Sequence, residues 1–507
     1  MSADPDPHNA GRRRLEFVAA SFFAFAAACG VYAASSRGIW IDEFWSLRMG
    51  DAAIPLEQLA EQRWLHDTNP ITANMLYRIV SYSGASDIAV LRIIFNLPPF
   101  LLLLAATAGF HRASPSRSPF YLLFAVLVVA LPAFITAFSD YRSYVWQIGW
   151  GAILVQFAHW LLVEPPAPAL PRNRALAALA IASVFGAIAF HFIAGLLVSA
   201  LVAGLLLMLA RSRAWRAFAA VAVPAVIVWS TMLGLALWQY SHVRRELDYS
   251  WITTTTPQAL IIGAALMVEA LLANPVASVL ALLRQPAFEM VDRAAARRRL
   301  EFILLLGASI FAAAAPLLLL NAYRPVVVDR YLGTWQLLIA GIVAVAGCRA
   351  VAAHRWAPYA VAVFAVISVG VTARRQADYR GWNETRDFIA SGVRNCPAST
   401  VYATTPWRLR TGRDTRYAAY ESLTFADGYR RLAKDAGFEL TVLSPEDRVL
   451  ALADKCPTYL WAEHTGGWYL PDGGYVLGKA GLRPSAKARA TIFRTNSGFV
   501  VVLKKAA

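Results

Sequence analysis

Apolar runs long enough to cross a lipid bilayer recur throughout residues 15–373 of the 507-residue chain. A helix needs about 20 apolar residues to cross roughly 30 Å of hydrocarbon. By that length we count about eleven runs, at residues 15–36, 88–110, 119–138, 144–163, 175–190, 192–210, 217–238, 258–283, 300–320, 331–348 and 357–373. Only 16% of the residues are charged, against about a quarter in soluble domains. The runs therefore predict a polytopic α-helical membrane protein with about eleven transmembrane helices.

The basic residues lie in short segments between the apolar runs. A formal net charge of +16 suggests nucleic-acid binding on a soluble protein, but these arginines follow the positive-inside pattern of an inserted one. They cluster at Arg12–Arg14, Arg112 and Arg117, Arg172 and Arg174, Arg211–Arg216, Arg293–Arg299, and Arg349 with Arg355. These loops are predicted to be cytoplasmic, and their placement argues against nucleic acid as a partner. The segments 37–87, 139–143, 191, 239–257 and 321–330, and everything after 373, are then predicted to lie outside.

The tail at residues 374–507 has a different pattern. Amphipathic helices are predicted at Asn383–Val393 and Ala426–Ala436, and strands at Thr400–Ala403, Glu439–Leu443, Thr458–Trp461 and Phe499–Leu503. Alternating strands and helices are typical of a small α/β domain. We therefore predict two domains: a membrane module at 1–373, with a first outer loop at about 37–87, and a soluble α/β domain at 374–507 outside the cytoplasm.

Two of the four cysteines fall in this tail. Cys396 and Cys456 are each followed by proline and then by a predicted strand. If those strands lie parallel, the two cysteines meet at one edge of the sheet, and disulfides persist in compartments outside the cytoplasm. We predict a Cys396–Cys456 disulfide, with two free thiols as the alternative.

The first outer loop begins with two adjacent carboxylates, Asp42 and Glu43, in Ile39-Trp40-Ile41-Asp42-Glu43-Phe44-Trp45. Two solvated acids in an interfacial aromatic belt would explain the pattern. The other interpretation is a general base at the membrane surface, because partial burial and a neighbouring acid raise the pKa of a carboxylate. Further along, Asp67-Thr68-Asn69-Pro70 is typical of a capped helix start, with Asp67 or Asn69 at the cap and Pro70 just inside the helix. An acid at such a helix start can also face a cavity.

The other predicted outer turns carry arginines and a histidine. Arg142 and Tyr144 follow the third run, His191 separates the fifth and sixth, and Arg324, Arg330 and Tyr331 precede the tenth. The alternatives without a catalytic or binding role are an ion pair between Arg142 and Asp140 and a packing role for His191. All of these turns are predicted to lie on the same side of the membrane, which favours function, because ionisable groups at membrane depth mark substrate paths. Arginine is also suited to phosphate, since its planar fork donates two parallel hydrogen bonds.

These segments resemble, in order, the motifs of the GT-C superfamily of membrane glycosyltransferases, the branch with protein O-mannosyltransferases and the aminoarabinose transferase of lipid A. Asp42-Glu43 matches the acidic pair of the first outer loop in that family. The segment from Asp67 to Ile71, followed by Tyr77, is similar to its second acidic motif. Ser139 to Tyr144 resembles a Ser-x-x-x-Arg-x-Tyr segment, but is one residue shorter.

Two later segments extend the resemblance through most of residues 15–373. Phe190-His191-Phe192 is similar to a Thr-His-Tyr type segment without its threonine, and Pro325 to Tyr331 resembles a late Pro-x-x-x-x-Arg-Tyr motif. The departures, including Ile71 in place of a second proline, bear on acceptor positioning and metal dependence more than on reaction class.

The resemblance implies a GT-C fold and an inverting transferase in the bacterial inner membrane. Its donor would be a polyprenyl-phosphate-linked sugar, and its acceptor an envelope glycan, lipid or protein on the periplasmic face. Asp42 would be the catalytic base, with Glu43 in support, and Glu43 and Asp67 would meet a divalent metal in some members. The predicted donor- and phosphate-binding residues are Asp67, Tyr77, Arg142, Tyr144, His191, Arg324, Arg330 and Tyr331.

Two other functions fit a polytopic chain. A transporter or flippase of lipid-linked sugars should carry polar residues on both faces or within the spans. An O-antigen ligase or polymerase would rely on a large outer loop with Arg and His, without the early Asp-Glu pair. The sequence leaves the sugar and the acceptor undetermined.

Overall fold

The structure is a computed structural model of the chain. It describes residues 7–67, 70–114, 117–164, 170–243, 252, 254–283, 293–405, 408–409, 416–463 and 470–506.

Helices account for most of the described residues up to position 378. They are α1 (Pro7–Ser36), α2 (Ile41–Met49), α3 (Leu56–Gln62), α4 (Ile71–Ser81), α5 (Ile88–Ala113), α6 (Phe120–Ala130), α7 (Pro132–Phe138), α8 (Tyr144–Leu162), α9 (Arg174–Ala189), α10 (Phe192–Arg211), α11 (Trp215–Val243), α12 (Thr256–Leu272), α13 (Pro275–Leu283), α14 (Arg293–Tyr323), α15 (Gly333–Ala353) and α16 (Ala357–Asp378). Each predicted apolar run coincides with one helix or with two consecutive ones. The polytopic helical class is therefore confirmed.

Among the described residues, seven helices are long and apolar enough to cross a membrane, and nine spans result if each bent pair counts as one. The remaining two predicted spans correspond to α8 and α9. The helix α8 contains Gln147, Gln156 and His159, and α9 has only 16 residues. The predicted count of eleven stays a prediction.

Two predicted spans are bent rather than straight. The helices α6 and α7 meet at 66°, and α12 and α13 at 88°. Each bend comes at a proline, Pro132 in the first and Pro275 in the second, each at the first position of the following helix. Proline lacks an amide hydrogen and disfavours the helical conformation of the residue before it, so an apolar run can continue while its helix breaks.

The tail contains α17 (Trp382–Asn395), α18 (Arg416–Ala436) and α19 (Gly473–Lys479), with strands β1 (Thr400–Ala403), β2 (Thr441–Val442), β3 (Val449–Leu450), β4 (Thr458–Glu463), β5 (Arg483–Pro484), β6 (Ala488–Arg494) and β7 (Gly498–Lys505). Five of these strands form a sheet in the order β2-β1-β4-β7-β6. The strand β4 lies in its centre and is buried along its whole length, as expected for a strand covered on both faces. The predicted α/β tail is confirmed.

The parallel pairing predicted for the strands after the two cysteines is present. The strand β1 pairs with β4 in parallel, with Thr400 opposite Thr458. Cys396 and Cys456 precede these strands at the same edge, and the structure joins them in a disulfide with a Cα–Cα distance of 5.7 Å.

The chain divides into two compact units. The first comprises residues 1–35, 54–242 and 250–376, and is called the helical unit below; the second comprises mainly residues 36–53 and 377–507, and is called the C-terminal unit. The later boundary is close to the predicted one at 373. The first outer loop, however, is divided: the segment with α2 belongs to the C-terminal unit, whereas α3 and α4 belong to the helical unit.

Candidate functional site

The helix α2 carries the acidic pair in its first turn, and the two carboxylates have different surroundings. Glu43 is fully buried, and its Oε2 accepts a hydrogen bond from the backbone amide of Trp40 at 3.3 Å. A carboxylate at this position satisfies a free amide of the first turn and interacts favourably with the positive end of the helix dipole. Glu43 therefore orients the helix that carries Asp42.

Asp42 itself is half-buried. Its backbone carbonyl accepts a hydrogen bond from the Ser46 hydroxyl at 3.1 Å. Asp42 is less buried than Glu43 as a whole residue, although its Oδ2 atom is buried. The structure thus distinguishes two adjacent acids that the sequence could not rank beyond the resemblance.

Asp67 and Tyr77 belong to the helical unit; Asp67 precedes α4, and Tyr77 lies within it. The Oδ2 of Asp67 accepts a hydrogen bond from Asn74 Nδ2 at 3.1 Å, and both residues are buried. Asp67 therefore does not cap α4, because its carboxylate bonds to a side chain within the helix, and the residue at the cap position is Pro70. Thr68 and Asn69, the other predicted cap, lie outside the described residues.

Tyr77 connects α4 to the turn before α8. Its hydroxyl accepts a hydrogen bond from the backbone amide of Ser143 at 3.1 Å. Its ring lies 5.3 Å from that of Tyr141 and 5.1 Å from that of Phe95. The contact with Ser143 fixes the backbone between Arg142 and Tyr144, the two residues predicted in this turn.

His191 is the centre of a set of aromatic rings in the helical unit. Its ring centre lies 4.3 Å from that of Tyr331 and 5.9 Å from that of Tyr144. The guanidinium of Arg142 lies 5.9 Å from the Tyr144 ring, and that of Arg330 lies 5.7 Å from the Tyr331 ring. These five residues, which we call the His191 cluster, are separated widely in the sequence and were all predicted.

The electrostatics of the cluster follow from burial and from its two arginines. Burial, followed by the charges of Arg142 and Arg330, lowers the pKa of His191 to about 3. The imidazole is therefore neutral at pH 7. Its Nδ1 accepts a hydrogen bond from the Ala194 amide at 3.4 Å and so caps α10, which leaves the Nε2 hydrogen as the donor. The packing role and the predicted binding role are compatible.

The segment between α14 and α15 is held by a buried asparagine. The Oδ1 of Asn321 accepts hydrogen bonds from the amides of Val326 and Val327 at 2.9 and 3.0 Å. Arg324 lies half-buried within this turn, directly after α14. The turn delivers Arg330 and Tyr331 to the His191 cluster, and the role of Arg324 stays a prediction.

A divalent metal does not fit the carboxylates that the structure describes. Within the described ranges, no group of three His, Cys, Asp or Glu side chains could hold a metal ion. Glu43 and Asp67, the two predicted ligands, each already accept a hydrogen bond, from Trp40 and from Asn74.

Three residues that support the predicted ones were missed by sequence reasoning. Asn74 bonds to Asp67, Asn321 shapes the Arg330 turn, and Asn96 donates from Nδ2 to the carbonyl oxygens of Phe138 and Asp140 at 2.8 and 2.7 Å. Asn96 and Asn321 lie on the apolar helices α5 and α14, and buried amides must be hydrogen-bonded. An asparagine in or beside an apolar run is the signal that would have found these two, whereas Asn74 lies outside every predicted run.

The fold is similar to that of two crystal structures of ArnT from Cupriavidus metallidurans. The structure bound to undecaprenyl phosphate is 13% identical in sequence, with a TM-score of 0.50, and the apo structure is 12% identical, with a TM-score of 0.51. Each match covers 95% of this chain and 97% of the other. No protein-family model matches the chain, and no curated protein matches it. The predicted GT-C fold is therefore confirmed.

Proposed function

We propose that the protein is an inverting glycosyltransferase that moves a sugar from a polyprenyl-phosphate donor to an acceptor of the cell envelope. The observation that carries the proposal is the His191 cluster in a chain with the ArnT fold. One of the two ArnT structures was solved with undecaprenyl phosphate bound. Two guanidinium groups beside a neutral imidazole and two tyrosines suit the same kind of ligand, a lipid phosphate.

The donor phosphate would be bound by Arg142, Arg330 and the Tyr144 hydroxyl. Tyr144 is 6% exposed, and its hydroxyl has no hydrogen-bond partner among the described residues. A buried hydroxyl without a partner costs roughly 1–3 kcal/mol, which a phosphate oxygen would offset. Charge-assisted hydrogen bonds from arginine are stronger than neutral ones and shorter. His191 would add a neutral donor.

In the proposed reaction, Asp42 accepts the proton of an acceptor hydroxyl. The acceptor oxygen forms a bond to the anomeric carbon from the face opposite the lipid phosphate. The bond from that carbon to the phosphate oxygen breaks, and its electron pair leaves with the phosphate. The transition state resembles an oxocarbenium ion. The arginines stabilise the negative charge that develops on the departing phosphate, where fixed cations are most effective.

We also propose the inner membrane of a bacterium as the location, with the reaction and the C-terminal unit on the periplasmic side. The alternation of arginine-bearing loops supports this orientation. Reporter fusions test it: a fusion after Arg375 should be active outside the cytoplasm and one at Arg213 inside. Activity of both on the same side would contradict the orientation.

The transfer itself is tested with purified protein in lipid nanodiscs. Undecaprenyl-phosphate sugars, radiolabelled in the sugar and offered as separate pentose and hexose donors, are incubated with an envelope extract as acceptor source. We expect label to leave the lipid phase and enter an acceptor with release of undecaprenyl phosphate. The Asp42→Asn protein should bind donor without transferring it. Label that stays on the lipid with every donor would overturn the proposal.

One observation favours a transporter as the second candidate. Glu269 lies within α12, and its Oε2 accepts a hydrogen bond from Gln336 Nε2 on α15 at 2.8 Å. Ionisable residues within membrane helices often mark transport paths. If the protein moves lipid-linked sugar across the bilayer, proteoliposomes should change the leaflet of a labelled donor without acceptor, and Glu269→Gln should abolish the movement.

A further inference from the structure

The helix α2 begins where two segments of the C-terminal unit lie side by side. The Gly38 amide donates to Tyr379 O at 2.7 Å, and the Trp382 amide donates to Ile39 O at 2.9 Å. A Cβ on Gly38 would overlap Arg380 O, and one on Gly381 would overlap Ile39 O. Gly381 also has a φ of +51°, which favours glycine. Only glycines allow this approach of the two backbones.

The middle of α2 is held by aromatic side chains. The ring of Phe44 lies 5.1 Å from that of Trp382, which in turn lies 5.6 Å from Phe425 and 5.1 Å from Tyr429. Trp382 is 1% exposed. We call Phe44, Trp382, Phe425 and Tyr429 the aromatic cluster. Such ring contacts contribute about 0.5–1.5 kcal/mol each beyond the area they bury.

A glycine on α18 sets the distance between α18 and this cluster. A Cβ on Gly428 would lie 2.9 Å from the Phe44 ring and 2.9 Å from the Trp382 ring. Either ring, or the helix that carries it, would have to move to accept a methyl group. Gly428 therefore allows α18 to pack directly on α2 and α17.

The ion pair beside this contact is too exposed to hold α2. Arg48 Nη1 lies 2.9 Å from Asp427 Oδ2, but the Asp427 side chain is 54% exposed. Exposed ion pairs contribute about 0–1 kcal/mol. With nine residues, α2 is also shorter than the roughly 12–15 residues at which isolated helices become marginally stable. Its place depends on the two glycine contacts and on the aromatic cluster.

We infer that the packing of α2 against the rest of the C-terminal unit positions Asp42 for the reaction. Gly428 and Phe44 are the positioning residues, and they act through Asp42. The inference rests on the proposed function, because it takes Asp42 as the catalytic base. It adds that the packing of α2 within the C-terminal unit, through Gly428 and Phe44, affects turnover by fixing the position of Asp42.

The first test is Gly428→Ala in the full-length protein. Because small displacements of reacting groups cost up to about 100-fold in rate, we expect kcat to fall about 10- to 100-fold. The donor KM should stay unchanged, since the residues proposed to bind the phosphate belong to the helical unit. Gly478→Ala is the matched control, because a Cβ there meets nothing within 4 Å. Phe44→Leu combined with Gly428→Ala should restore part of kcat by removing the ring atoms that meet the new methyl.

The second test needs no enzymatic activity. Hydrogen exchange of residues 41–49 should be slow in the wild-type protein, faster in Gly428→Ala, and unchanged in Gly478→Ala. Equal α2 exchange in the two variants, or equal kcat, would overturn the inference. A wild-type protein with protected α2 that transfers no sugar would overturn the proposed function while leaving the attachment of α2 in place. The two failures are therefore distinguished by separate measurements.

Discussion

The two halves of the first outer loop are held by different parts of the molecule. Residues 36–53, which include Asp42, belong to the same compact unit as residues 377–507. Asp67 and Tyr77 belong to the helical unit. The first half is held by close contacts between two backbone segments, each at a glycine, and by contacts between aromatic rings. The second half is fixed by side-chain hydrogen bonds, from Asn74 to Asp67 and from the Ser143 amide to Tyr77.

Acids in one loop therefore need not serve the same step. We propose that Asp42 acts as the base and that the His191 cluster binds the donor phosphate. Substitution of Asp42 should then lower kcat without changing donor binding, whereas substitution in the cluster should also raise the donor KM.

The largest effect is expected for Asp42→Asn. An amide cannot accept the proton of the acceptor hydroxyl, and general-base catalysis typically contributes about 10²–10⁴-fold. We expect kcat to fall by that factor with unchanged donor binding, measured by turnover and by equilibrium binding of labelled donor.

Glu43→Gln is the matched control for this prediction. The amide oxygen of glutamine can still accept the hydrogen bond from Trp40, so the loss should be smaller. An Asp42→Asn protein that turns over like the wild type would remove the assignment of the base.

The next effect concerns the disulfide of the C-terminal unit. The bond between Cys396 and Cys456 closes a loop with a sequence separation of 60. Replacing both by serine should lower the free energy of unfolding of this unit by roughly 4 kcal/mol in the chain-entropy model. Denaturant titrations of the full-length protein, followed by tryptophan fluorescence, measure the change.

The half-buried free cysteine provides the comparison, because Cys29→Ser breaks no bond. If α2 belongs to the C-terminal unit, its hydrogen exchange should quicken in the double variant as well. Unchanged α2 exchange in a destabilised variant would separate α2 from this unit.

Glu463 should make the stability of the C-terminal unit depend on pH. It is fully buried and accepts hydrogen bonds from Thr385 Oγ1 and Trp461 Nε1. Burial raises the pKa of this carboxyl from 4.5 to about 7, although the hydrogen bonds oppose the shift. The unfolded chain thus loses its proton near pH 4.5, while the folded one keeps it to about pH 7. Stability should fall across this window as pH rises, by about 3 kcal/mol.

The measurement is the difference between the wild type and Glu463→Gln across pH 4–8. The glutamine variant keeps a hydrogen-bond acceptor and carries no charge, so it should gain stability relative to the wild type as pH rises. A constant difference over the whole range would show that Glu463 titrates at its ordinary pKa.

The smallest effect is expected in the helical unit. Arg330→Ala should raise the donor KM, because it removes a charge-assisted contact worth roughly 1.5–3 kcal/mol. It should also lower kcat, because the arginine stabilises the charge that develops on the departing phosphate. Arg330→Lys should cost less, since it keeps the charge but loses the planar fork. Steady-state kinetics with varied donor give both constants, and the exposed Arg172→Ala is the control in the same unit. An unchanged KM together with an unchanged kcat would show that this arginine is structural.

Much of the fold follows from local sequence. Every predicted apolar run is helical, and the strands at Thr400–Ala403 and Thr458–Trp461 pair in parallel as expected. The bends at Pro132 and Pro275 could not be predicted from proline alone, because Pro98, Pro224 and Pro316 lie inside continuous helices. Of the candidate site, Arg142, His191 and Arg330 were predicted from their shared side of the membrane, and Tyr144 and Tyr331 from the family resemblance. Their mutual contacts were not predicted.

That the chain spans a membrane follows from its sequence, because apolar length and loop charge act locally and do not depend on packing. The burial of each acid, and the compact unit to which both belong, arise only in the folded structure. Asp42 and Glu43 are adjacent in the sequence, yet only Glu43 is fully buried. Phe44 and Gly428 are far apart in the chain, and no period or motif relates them. Their contact exists because a glycine on α18 lets an aromatic ring approach, and close packing is a property of the folded molecule.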